Sequence, residues 1–122
     1  MNINLLIKSV DIFDHNYEKS FISEKILLSD KIEYSYSDEY GESKIFVHKN
    51  FLEIFRKGQI NSKQIFKLGE ITNFLYLTEN MKSQFSLKTD VLIILNKKIY
   101  LEYDIIEKNE VINSIKLEIT EL

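Results

Sequence analysis

The chain has no cysteine, proline, tryptophan or alanine, three glycines, and a single arginine, Arg56. Without cysteine there is no disulfide, no thiolate metal site and no cysteine nucleophile, so the fold must be held by its core alone. Ala, Gly, Pro and Arg are encoded by GC-rich codons. Their scarcity beside abundant Ile, Lys, Asn, Phe and Tyr reads as an AT-rich coding sequence. Missing Pro and Gly therefore do not mean missing turns, and the use of Lys over Arg carries little functional meaning. The longest apolar run, Val91 to Leu95, is far too short to span a bilayer. Met1 to Val10 has no basic segment followed by an apolar stretch, so no secretory signal is expected there. These readings lead to the expectation of a soluble, cytoplasmic protein.

What is present suits a single domain over residues 1–122, with 44% hydrophobic and 29% charged residues. The net charge of −3 argues against nucleic acid as the main partner. The charge is unevenly spread. Between Lys44 and Lys67 the cations Lys44, Lys49, Arg56, Lys57, Lys63 and Lys67 face one carboxylate, Glu53, while the rest of the chain is acidic. This segment is read either as a solvated basic face or as a partner-binding face.

Period-two alternation dominates the sequence. It sets Ile3, Leu5 and Ile7 against Asn2, Asn4 and Lys8, and Ile32, Tyr34 and Tyr36 against Lys31, Glu33 and Ser35. A longer stretch sets Phe85, Leu87, Thr89, Val91 and Ile93 against Gln84, Ser86, Lys88 and Asp90. Ile99, Leu101, Tyr103 and Ile105 alternate with Tyr100, Glu102 and Asp104, and Ile115, Leu117 and Ile119 with Lys116, Glu118 and Thr120. Each segment reads as a strand with one apolar and one polar face, as in an antiparallel sheet wet on one side. Polar breaks fall at Asp38 to Glu42, Lys49-Asn50, Lys57-Gly58, Glu79-Asn80, Asn96-Lys97 and Lys108-Asn109. Asn and Gly tolerate positive φ and can close hairpins without Pro. The spacing predicts an all-β meander closed into a barrel or folded as a sandwich. Gly69 to Met81 stays open: Ile71, Phe74, Leu75 and Thr78 fit a helical spacing, while Phe74, Tyr76 and Thr78 fit one face of a strand.

Arg56-Lys57-Gly58, Gln64-Ile65-Phe66, Gly69, Tyr76, Thr78 and Leu87-Lys88-Thr89, in that order, resemble the core pattern of the YwiB-like proteins. These are small bacterial barrels described as calycin-like, in a domain family of unknown function. Ile3 to Ser9 is similar to the family's first strand, and Ile99 to Asp104 to its closing strands. The resemblance implies an antiparallel lipocalin-like barrel of about eight to ten strands, and a strand over Asn73 to Thr78. It implies no activity. It departs from the family after Tyr76-x-Thr78, where Met81 stands in place of a turn Gly.

The chemistry of a catalytic centre is hard to find. His15 falls in a polar loop and His48 on a polar strand face, both expected to be exposed and neither near a second metal ligand. There is no nucleophile motif and no phosphate loop, since Gly41, Gly58 and Gly69 are far apart. Glu102 and Asp104 form a same-face carboxylate pair expected to point outward. No metal, cofactor or enzymatic activity is expected. The polar residues in phase with inward apolar positions are Arg56 after Leu52 and Ile54, Gln64 with Phe66 and Leu68, Tyr76 with Phe74, and Tyr103 with Leu101. Converging inside a barrel, Arg56, Gln64, Tyr76 and Tyr103 could hold the headgroup of a small anionic or amphipathic ligand. A barrel filled by its own side chains is the competing reading. In it the basic 44–67 face would meet a protein partner.

Overall fold

A computed structural model describes all residues, 1–122. The chain forms ten strands and no helix: β1 (Asn2–Asp11), β2 (Asn16–Leu27), β3 (Lys31–Asp38), β4 (Gly41–His48), β5 (Phe51–Gly58), β6 (Asn61–Lys67), β7 (Ile71–Leu77), β8 (Lys82–Leu95), β9 (Lys98–Glu107) and β10 (Glu110–Glu121). Each strand pairs antiparallel with the next, and β1 pairs with β10, so the meander closes into a barrel whose shortest ladder is the two pairs between β6 and β7. No helix of the chain is long and apolar enough to cross a membrane.

The hairpin turns fall at the polar breaks. Lys108 and Asn109 both take positive φ, 51° and 66°, the two-residue turn that matches strand twist. The Thr78–Met81 turn is closed by the Thr78 N–H donating to the Met81 carbonyl at 2.8 Å. Neither Asn80 nor Met81 takes positive φ, so no Gly is needed there. Gly69 to Met81 resolves as the loop before β7 and then β7 itself, which is a strand rather than a helix.

Alternation places the core inside. Leu5, Phe66, Phe74, Leu87, Leu101, Tyr103 and Leu117 are buried, with Ile7 beside them, whereas Ile3 and Ile115, expected to join them, are half-buried near the barrel ends. Val91 and Ile93 depart from the expected phase. A β-bulge between Thr89 and Val91 inserts Asp90 as an extra residue, so Leu92 and Ile94 turn inward and Ile93 faces out. Leu68 also departs, because β6 ends at Lys67 and leaves it 58% exposed.

Ion pairs close both ends. At the end holding the termini, Lys25 Nζ lies 2.7 Å from Glu121 Oε2, which also accepts the Tyr34 hydroxyl at 3.0 Å. At the opposite end Arg56 donates to Asp38 at 3.2 Å. Between them Phe66 packs edge-on against Tyr103 with ring centroids 4.8 Å apart. The space among the core side chains at the Lys25–Glu121 end is about 50 Å³, room for about one water.

Candidate functional site

The four inward polar residues separate along the barrel axis. Arg56 and Tyr76 lie near the Asp38 end, one strand apart through Ser62, which pairs with both. Gln64, opposite Ile54, lies one inward position deeper. Tyr103 lies deeper still, opposite Thr89 and against Phe66. Burial pushes the Tyr103 hydroxyl well above its ordinary value. Tyr103 is 7% exposed and packs in the core cluster.

Arg56 is held as its inward phase requires, by a carboxylate from β3. Its side chain keeps 30% of its exposure, while Asp38 keeps 9%. The guanidinium also lies 5.9 Å from the Tyr40 ring. Two glycines make this corner. Gly41 and Gly58 pair across β4 and β5 with φ of 130° and 147°. A Cβ on either would meet backbone oxygen, Lys57 O at 2.3 Å or Tyr40 O at 2.5 Å. The close crossing brings Tyr40 and Asp38 to Arg56. Tyr36 lies beside this corner, its ring tilted against Phe21 with centroids 4.5 Å apart and its hydroxyl raised in pKa chiefly by burial.

The largest concavity lies outside the barrel, on the outer face of β4–β7. It is an open groove of about 830 Å³. Phe46, Phe55, Leu75 and Leu77 supply apolar lining, and Lys44, Lys57 and Lys63 supply cations. Glu42 is the one carboxylate in its lining, and Arg56 reaches it from the barrel end. The groove exists because β6 and β7 part. Their ladder is two pairs long, Asn61 with Leu77 and Ser62 with Tyr76. Beyond it the Thr72 hydroxyl donates to the Ile65 carbonyl at 2.7 Å in place of ladder bonds.

Three phenylalanines stand on this outer face, where a meander usually turns polar side chains to water. Phe46 and Phe55 meet edge-on at 5.3 Å. Lysine ammoniums sit over all three rings: Lys31 over Phe46 at 5.0 Å, Lys63 over Phe55 at 5.2 Å and Lys67 over Phe51 at 5.0 Å. His48 is not exposed as expected. It stacks on Phe51 at 3.9 Å and shares a 2.7 Å hydrogen bond with Glu53, so the segment's only carboxylate is already engaged. A second cleft, lined by Lys49, Phe51 and Lys67, continues the strip towards the other barrel end. Sequence reading placed the basic segment but missed its aromatics. Phe46 opposite Glu53, and Phe55 opposite both Lys44 and Lys63, are cross-strand relations that a one-dimensional pattern hides.

The other sequence candidates do not assemble. His15 is exposed beside Asp11 at 3.4 Å. Glu102 and Asp104 point outward but bond elsewhere: Tyr100 donates to Glu102 at 2.8 Å and Ser114 to Asp104 at 2.6 Å. The carboxyl that responds to Asp104 is Asp90 on the bulge, whose pKa is raised by burial first and by Asp104 next.

The crystal structure of YwiB from Bacillus subtilis superposes with a TM-score of 0.80 at 18% identity, covering 99% of this chain and 92% of that one. The likeness shows the fold. No curated protein matches the chain. The model of a domain of unknown function, DUF1934, matches residues 29–119, three quarters of the chain and every strand of the groove, and the chain belongs to that family, the YwiB-like proteins.

Proposed function

We propose that this protein is a non-enzymatic binding module whose ligand is anionic with an apolar or aromatic body, taken in the outer groove of β4–β7. The observation that carries this reading is the pairing of a lysine rim with a phenylalanine and leucine floor in a groove of about 830 Å³. Specific ligand sites have this scale and this mixture of apolar lining with a few placed polar groups. The lumen offers the opposite. Phe66, Leu87 and Leu101 are fully buried there, and Tyr103 packs into the same core.

The groove unites the two sequence readings, because the basic 44–67 face is itself the amphipathic site. Arg56 serves it from the edge by fixing the barrel corner and by contributing to the lining. Gln64, Tyr76 and Tyr103 belong to the barrel that carries it.

The test uses 8-anilinonaphthalene-1-sulfonate, an anionic aromatic probe whose fluorescence rises in apolar surroundings. The folded protein should bind it. Reversing two rim charges, Lys44→Glu with Lys63→Glu, should weaken binding about tenfold, as expected for about 0.7 kcal/mol from each desolvated charge contact. Tyr103→Phe should leave binding unchanged. Loss of binding on Tyr103→Phe with none on charge reversal would place the site in the lumen and overturn the reading.

A further inference from the structure

We propose that the outer strip of β4–β6 binds single-stranded nucleic acid, with Phe55 and Phe51 as stacking platforms and Lys44, Lys57 and Lys63 as phosphate contacts. The inference rests on the outer-groove reading and names its ligand class. Phe51 and Phe55 stand on the same outer face of β5, four residues apart, a strand distance of about 13 Å. Each lies opposite a lysine of β6, Lys67 and Lys63, whose ammonium rests over the ring. An exposed cation over a phenyl ring is held by only about 0.5–1 kcal/mol. A base can therefore displace the lysine from the ring, and the freed ammonium can move to the adjoining phosphate. Stacked aromatics with interleaved cations are the chemistry that holds single strands without sequence preference.

The groove adds a polar reader. Asn73 accepts a 2.7 Å hydrogen bond from Ser86 through Oδ1, which leaves its amide N–H groups free at the groove. His48 already stacks on one face of Phe51, so the faces open to a base are those under Lys63 and Lys67, and an acidic peptide would draw those lysines away without putting a planar group in their place. The net charge of −3 argues against an extended nucleic-acid interface, and the contact proposed is confined to the short basic strip between Lys44 and Lys67. Three phosphate contacts predict a slope of log K against log salt of about −2.

The test is fluorescence anisotropy of a labelled deoxythymidine decamer with the intact protein at about 50 mM salt, where sequence-independent binding is tighter than the roughly 1–100 µM typical at physiological salt. Binding with that salt slope is expected. Loss of about tenfold is expected in Phe55→Leu, which keeps apolar bulk but removes the ring, and in Lys44→Glu with Lys63→Glu. Circular dichroism checks that both variants are folded. A uridine decamer against the thymidine decamer tells RNA from DNA as the natural source, and duplex DNA should bind more weakly than either strand. Equal binding by wild type and Phe55→Leu, or equal affinity for a decaglutamate peptide, would overturn the proposal. Probe binding in the groove without decamer binding would overturn it and leave the groove reading standing. Failure of both ligands would remove both.

Discussion

Arg56 occupies a position where a guanidinium and an ammonium act differently. One guanidinium nitrogen donates to Asp38 while the guanidinium carbon lies over the Tyr40 ring at 5.9 Å, and Asp38 is nearly buried. Arg56→Lys should therefore destabilise the fold by about 1–3 kcal/mol, read from urea midpoints, because Asp38 is left with a poorer donor. An unchanged midpoint would show the pair to be ornamental. Thr89 gives the opposite expectation. Its side chain is fully buried and its hydroxyl has no partner. Thr89→Val should be neutral or stabilising by about 1 kcal/mol, since the desolvation cost of the hydroxyl disappears. A clear loss of stability would mean that Thr89 has an ordered partner. At this scale the sequence was partly legible. The phase of Arg56 with Leu52 and Ile54 told which way it points. Its partner could not be read, because Asp38 lies two strands away on β3 and reaches Arg56 only through the close approach of Gly41 and Gly58. His48 failed for the same reason: its neighbours Phe51 and Glu53 cover it only once the β4–β5 hairpin forms.

The strands were legible where their inward face is apolar and hidden where it is not. β2 carries inward Phe21, Ser23 and Lys25, so it lacks the alternation that marks β1, β9 and β10. Ser23 is tolerated in the core because its hydroxyl donates to the Ser35 carbonyl at 3.1 Å. The bulge at Asp90 defeated the alternation in β8 from within, since one extra residue exchanges the two faces. Turn glycines differ in what they permit. Gly41 has backbone oxygen 2.3 Å from where a Cβ would stand, whereas Gly69 has open space and only a positive φ of 76°. Gly41→Ala should cost more than about 2 kcal/mol and Gly69→Ala about 1 kcal/mol. Thermal melts of the two variants give the comparison, and equal losses would contradict the close β4–β5 crossing.

The molecule as a whole is a sheet closed by β1 against β10, with an ion pair at each end and its largest groove outside. The Lys25–Glu121 pair fastens the last residues of β10 to β2, and Leu122 N–H adds a 2.9 Å bond to the Asn4 carbonyl. Glu121 is held below the ordinary carboxylate range, first by the hydrogen bond from Lys25 and against the upward pull of burial. A carboxylate with a depressed folded pKa adds stability above its unfolded value, about 4.3, and loses it as pH falls through the folded value. Urea midpoints should therefore drop more steeply below about pH 5 in wild type than in Glu121→Gln, and parallel curves would contradict the latch. The barrel was expected from alternation and family pattern together. The groove was not, because it depends on where β6 and β7 part, and the chain carries no residue-level mark of that parting. The central claim is that binding occurs outside a filled barrel. An amide chemical-shift titration of isotope-labelled protein with 8-anilinonaphthalene-1-sulfonate tests it most directly. Perturbations confined to the outer strip, at Lys44, Phe46, Phe55, Lys63 and Leu75, are the predicted result; perturbations centred on Leu87, Leu101 and Tyr103, with the outer strip unmoved, would contradict it.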